Sequence, residues 1–166
     1  GMLITVFRCV YRVAAYPETF EGRCRAICLA IPTAVITGRA AGRLWGLRLM
    51  GKITKIEVRV PHYCNTLKAP WVQLRRCNVV EPVDIVQRTD GIRVVSPPRL
   101  AFDLAADLTP IELESVIEQI LDRRYCSMTT LYEMGRRLYH PARPGATRFA
   151  RVIASRPEWL KPVDSN

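Results

Sequence analysis

The sequence lacks any long hydrophobic run. Its first apolar stretch, "MLITVF", stops at Arg8, far short of the roughly 20 apolar residues that a membrane helix needs. The same stretch lacks the basic start and the small-residue cleavage site of a secretory signal. A cytoplasmic chain with no membrane association is therefore expected. Histidine is scarce, with 2 in 166 residues. Neither His62 nor His140 has a Ser or Cys partner at a suggestive spacing, so a His-activated nucleophile is not indicated. The glycine-rich phosphate loops GxxxxGKS and GxGxxG are both missing.

The 6 cysteines include no CxxC knuckle. Cys24, Cys28, His62 and Cys64 could imitate a zinc site, but their spacing matches no familiar one. Cys24 and Cys28 fall on an apolar helix stripe, where a free thiol behaves as a small hydrophobe. A restriction-type nuclease needs a metal-holding acid followed by acid-x-Lys. The nearest match, Glu57-Val58-Arg59, has Arg in place of Lys and no Asp on a preceding strand. No metal, no cofactor and no enzymatic activity are expected.

What the chain does have is positive charge. Lys plus Arg is 25 against 15 for Asp plus Glu, a net charge of +10. Most of the excess is arginine, the side chain suited to bidentate phosphate contact. Its distribution is uneven. Residues 2–60 carry 10 basic and 3 acidic side chains, residues 101–128 carry 2 and 6, and residues 129–166 carry 7 and 3. Basic regions flanking an acidic one fit a polyanion-binding surface, although a basic solvated surface alone would also keep the protein soluble.

Periodicity predicts an α+β fold: an N-terminal hairpin and helical pair, a small mostly antiparallel sheet, and a helical C-terminal half. "LITVFRCVYRVA" reads as two strands reversing near Arg8 and Cys9. A helix over about 18–31 buries Phe20, Cys24, Ile27, Cys28 and Ile31. Thr37 is the expected N-cap of a helix running to Leu47, with Ala40, Ala41, Leu44 and Trp45 inward. "KIEVRV" alternates, "WVQLRRC" is a further strand, and Asp90-Gly91 marks a hairpin. Pro61, Asn65 and Pro70 mark a loop. Ser96-Pro97 starts a helix to about Ala106, "TPIE" is a capping box at Thr109, and "TLYE" suggests another at Thr130. Pro144-Gly145 precedes a last helix facing inward with Phe149, Val152 and Ile153. Arg99 and Asp103, one turn apart, read as a structural ion pair.

Several phrases resemble a known family in matching order. "RCVYRVA" is similar to the "RGVYRVA" that ends the winged-helix part of type IV abortive-infection (AbiEi-like) antitoxins. "AVITGRAAGRLWGL" resembles their "AVVSHRSAARLWGL", and "IEVRVP" and "DGIRVVSPPRLAFDLA" resemble "IEVTVP" and "GIPVTSPARTLLDLA". "CSMTTLYEMGRRL" and "RPGATRFARVI" resemble the helices that follow. The likeness covers about residues 7 to 155. Such proteins begin with a winged helix-turn-helix that is missing here, and many carry a C-terminal domain similar to very-short-patch-repair endonucleases, also missing. Gly1 before Met2 looks like a tag scar. The expected organisation is a wing-like hairpin remnant at 2–14, an α+β antitoxin-like domain at 15–107, a helical subdomain at 108–160 and a tail at 161–166.

The resemblance implies a non-catalytic, DNA-associated regulatory module. It also leaves open an accessory domain of a nuclease-linked protein, or a module that binds a nucleotidyltransferase-like toxin without touching DNA. The candidate DNA contacts are Arg8, Arg12, Arg23, Arg25, Arg39 and Arg43, with Arg136, Arg137, Arg148 and Arg151 as a second patch. The candidate partner face is Glu112, Glu114, Glu118 and Asp122.

Overall fold

A computed structural model describes residues 1–64, 67–78 and 80–156. The loop residue Asn65, the end of the expected helical subdomain and the tail at 161–166 lie outside the described residues. The chain divides into two compact units, Gly1–Ser96 and Pro97–Asn166. The expected division at 107/108 is thus earlier, because the helix after Ser96 belongs with the helices that follow it. The hairpin is part of the first unit: Phe7 and Val10 are buried, and the Phe7 ring lies 5.4 Å from that of Trp71.

In the first unit, β1 (Leu3–Phe7) and β2 (Val10–Val13) form the antiparallel hairpin, with Cys9 at φ 62 in the turn. α1 (Phe20–Ala30) starts at Thr19, whose side chain accepts from the Gly22 amide. It buries Cys24, Ala26, Ile27 and Cys28. β3 (Val35–Thr37), β4 (Ile56–Pro61), β5 (Val72–Cys77), β6 (Ile85–Gln87) and β7 (Arg93–Val95) form one sheet in the order β5-β4-β3-β7-β6. This sheet is mixed, not mostly antiparallel: β3/β4 and β6/β7 are antiparallel, whereas β3/β7 and β4/β5 are parallel. β4 lies inside the sheet, so Ile56, Val58 and Val60 are buried and the alternate residues are half-buried.

α2 (Gly38–Leu44) is shorter than expected. Gly46, at φ 73, turns the chain left-handed, and Leu47 N–H donates 2.9 Å to the Gly42 carbonyl while Gly46 N–H donates 3.0 Å to that of Arg43. That crossed pair closes the helix C-terminus. Thr37 occupies the N-cap position without a side-chain capping bond.

The second unit is helical: α3 (Pro97–Leu104), α4 (Pro110–Asp122), α5 (Met128–Leu138) and α6 (Ala146–Ala154). Its core holds Leu100, Phe102, Leu104, Leu113, Ile117, Ile120, Leu131 and Phe149, with the Phe102 and Phe149 rings 5.3 Å apart. The capping box of α4 forms as expected between Thr109 and Glu112. The cap of α5 does not: Ser127 is the N-cap and Thr130 is three residues inside, donating its amide 3.2 Å to the Ser127 hydroxyl. Serine outranks threonine as a cap, and Ser127 is placed to satisfy an orphan amide that Thr130 is not. Among the described residues no helix is long and apolar enough to cross a membrane.

Candidate nucleic-acid interface

The arginines expected to meet phosphate fall into two classes once folded. In the first unit most are committed to the chain itself. Arg12 donates to the Tyr16 carbonyl at 2.5 Å. Arg23 pairs with Glu18 at 2.7 Å and stacks 4.7 Å over the Trp71 ring. The Arg23 guanidinium holds the Glu18 carboxyl below the usual carboxylate range. Arg39 donates 3.2 Å to the Met50 carbonyl, and Arg43 lies 4.4 Å over the Phe20 ring. Arg8, at the hairpin turn, and Arg25, on α1, are exposed and carry no hydrogen bond or ion pair to the described residues.

The rest of α2 is structural. Ala40 and Ala41 are fully buried, and the Trp45 indole donates 2.9 Å to the Val95 carbonyl. Arg39 therefore ties this helix to the Met50 loop, whereas Arg43 is exposed and stacks on Phe20 with no hydrogen bond from its guanidinium to the described residues. Glu57 accepts from Arg75 at 3.4 Å, so its carboxylate serves a cross-strand ion pair.

In the second unit, a cavity of about 370 Å³ opens at the start of α6. Its lining includes Arg143, Arg148 and Arg151 and, among the described residues, no carboxylate. Arg148 Nη1 donates 2.6 Å to the Leu108 carbonyl and 3.1 Å to that of Ala105. Arg143 Nη1 donates 2.7 Å to the Leu138 carbonyl. Arg151 is exposed and has no partner among the described residues. Gly145 is the N-cap of α6 at φ 79 and offers no side chain to the first turn. The Thr147 and Arg148 amides have no acceptor among the described residues.

Sequence reasoning missed Arg143, because it sits between helices in "HPARPG" and belongs to no helix face. The available signal was its position between two prolines just ahead of a helix start. Arg136 is exposed and lines a separate groove with Tyr132, Gly135, Tyr139 and Phe149; Arg137 is exposed on the same helix.

The candidate partner face on α4 is partly committed too. Glu112 accepts the Thr109 amide at 3.2 Å as half of the capping box. Glu118 lies 4.0 Å from Arg156, whose side chain is 4% exposed. Glu114 and Asp122 are exposed. Arg99 and Asp103 form a buried ion pair at 2.9 Å.

The zinc imitation does not assemble: Cys24, Cys28 and Cys64 are buried, His62 is exposed, and no three metal-ligating groups converge among the described residues. Burial pushes the Cys24 thiol up to about 12 and also raises that of Cys28. The Cys28 sulfur accepts the Arg93 amide at 3.4 Å. In comparisons with protein-family models, curated proteins and solved structures, nothing matches this chain.

Proposed function

We propose that the chain is a non-catalytic, DNA-associated module of the abortive-infection antitoxin kind, meeting the DNA backbone through arginine–phosphate pairs. The observation that carries this reading is that Arg143, Arg148 and Arg151 line one cavity with no carboxylate among its described lining residues. Two of these guanidiniums are held by backbone carbonyls. An anchored arginine loses little side-chain freedom on binding, so more of its contact energy appears as affinity. Arg8 and Arg25 are the matching candidates in the first unit. The family resemblance of the sequence and the net charge of +10 point the same way.

The test is fluorescence anisotropy with a labelled random duplex, comparing wild type with Arg143→Ala/Arg151→Ala and with Arg8→Ala/Arg25→Ala. Binding at low salt that weakens in the first double variant supports the reading. Absence of binding at low salt rejects it.

A second reading draws on α4. Glu114, Glu118 and Asp122 recur every four residues and are exposed, a pattern that a basic protein partner such as a nucleotidyltransferase-like toxin would meet. Pull-down with the adjacent-gene product, using Glu114→Lys/Asp122→Lys as the control, separates this reading from the first.

A further inference from the structure

We propose that the cavity at the start of α6 is a receptor for a phosphate monoester, the chemistry shared by a nucleic-acid 5′ end and a free nucleoside monophosphate. This rests on the reading that the second unit meets phosphate, and it names which phosphate.

Charge matching comes first. Arg143, Arg148 and Arg151 line the cavity, and no carboxylate does so among the described residues. An internal phosphodiester brings one negative charge and two free oxygens, which leaves guanidinium charge unmatched. A monoester brings about −1.5 to −2 at neutral pH and three strong acceptor oxygens. Three arginine forks fit three terminal oxygens better than two.

Preorganisation comes second. Leu108 and Ala105 hold one nitrogen of Arg148, and Leu138 holds one nitrogen of Arg143. Each guanidinium has further N–H donors beyond the anchored nitrogen. The Thr147 and Arg148 amides, with no acceptor among the described residues, add donors at the same helix start.

Shape comes third. The loop is seated directly on backbone: a Cβ at Gly145 would lie 2.5 Å from the Ala106 nitrogen and 2.8 Å from the Ala105 carbonyl carbon. The remaining volume, about 370 Å³, is in the range of small-ligand pockets, which run from about 300 Å³. It exceeds what a lone phosphate fills and leaves room for the first sugar.

The experiment uses the full chain and a 3′-labelled single-stranded oligonucleotide bearing either a 5′-phosphate or a 5′-hydroxyl. The 5′-phosphate probe is expected to bind at least about tenfold tighter. Arg151→Ala removes a side chain that makes no bond within the described chain, so folding is retained, and it abolishes that preference. Lys52→Ala, which removes the same charge from an exposed site in the first unit, preserves it. Competition with adenosine monophosphate identifies the source. Displacement assigns the site to free nucleotides, and persistence of the probe assigns it to nucleic-acid ends; both support a monoester receptor. Equal binding of the two probes, weakened alike by Arg151→Ala, overturns the inference and leaves the backbone-contact reading standing. No binding of either probe or of duplex overturns both.

Discussion

Arg148, in the first turn of α6, donates 2.6 Å to the carbonyl of Leu108, just past the end of α3. A second bond from the same nitrogen reaches Ala105 at 3.1 Å. The side chain therefore satisfies carbonyls left over beyond α3 while lining the cavity.

Arg148→Ala is expected to lower stability by about 1.5–3 kcal/mol, the range for hydrogen bonds from a charged donor. Arg151→Ala, four-fifths of a turn further on, should stay within about 0.5 kcal/mol of wild type. Urea melts followed by circular dichroism measure both. Equal stability of the two variants would contradict a structural role for Arg148.

Arg93 plays the corresponding part in the first unit. It donates to the carbonyls of Cys28 at 2.9 Å, Ile31 at 2.8 Å and Ala34 at 3.1 Å, closing the end of α1. Arg93→Leu should destabilise the chain by about 2–3 kcal/mol, since it takes the guanidinium from the carbonyls of buried Cys28 and Ala34, while that of Ile31 keeps the Ala34 amide. Denaturant melts showing a loss below about 0.5 kcal/mol would reject that role.

α4 ends like α2, but without glycine. Arg124 sits at φ 58, while its amide donates to Leu121 at 3.0 Å and that of Tyr125 donates to Ile120 at 3.1 Å. A left-handed non-glycine residue costs about 1–2 kcal/mol, and glycine returns part of the gain through a freer unfolded chain. Arg124→Gly should therefore stabilise the protein by about 0.5–1 kcal/mol. Gly145→Ala should do the opposite, because its Cβ would meet the Ala106 backbone at 2.5 Å. Thermal melts of the two variants should move in opposite directions.

Thiol chemistry follows burial. At pH 8, iodoacetamide should label exposed Cys9 and leave buried Cys24 and Cys28 untouched until denaturant is added. Burial raises Cys24 to about 12 and Cys126 to about 11. A thiol whose folded pKa is raised contributes stability that is complete below its unfolded pKa, about 8.5. That contribution is lost as pH climbs from there toward the folded values, because the unfolded chain ionises first. Melting temperature should fall over that alkaline window, and less steeply in Cys24→Ala. A pH-independent melting temperature there would contradict the assignment.

Much of the fold was legible. The hairpin at Cys9, the Thr109 capping box, the β4 alternation and the apolar stripes of α4, α5 and α6 all follow from local pattern, and each recurs in three dimensions. The parallel β4/β5 pairing was not legible. Parallel neighbours usually need a crossover helix, and residues 62–71 carry no helical pattern. The candidate site was legible only in part. Sequence places Arg39 and Arg43 on a helix face and cannot tell that Met50 and Phe20 engage them. It likewise cannot tell that a loop arginine, Arg143, joins Arg148 and Arg151 across a cavity. Such pairings depend on chain segments brought together by folding, which no local period encodes.

Arginine–phosphate contact with DNA is read from the salt dependence of duplex binding. Log K should fall linearly with log salt, at a slope of about −0.9 for each phosphate neutralised. Arg143→Ala/Arg151→Ala should make that slope shallower by about one to two phosphates and weaken binding at every salt concentration. A wild-type protein that fails to bind duplex at low salt, or a double variant with unchanged slope and affinity, would mean that these arginines do not meet DNA phosphate.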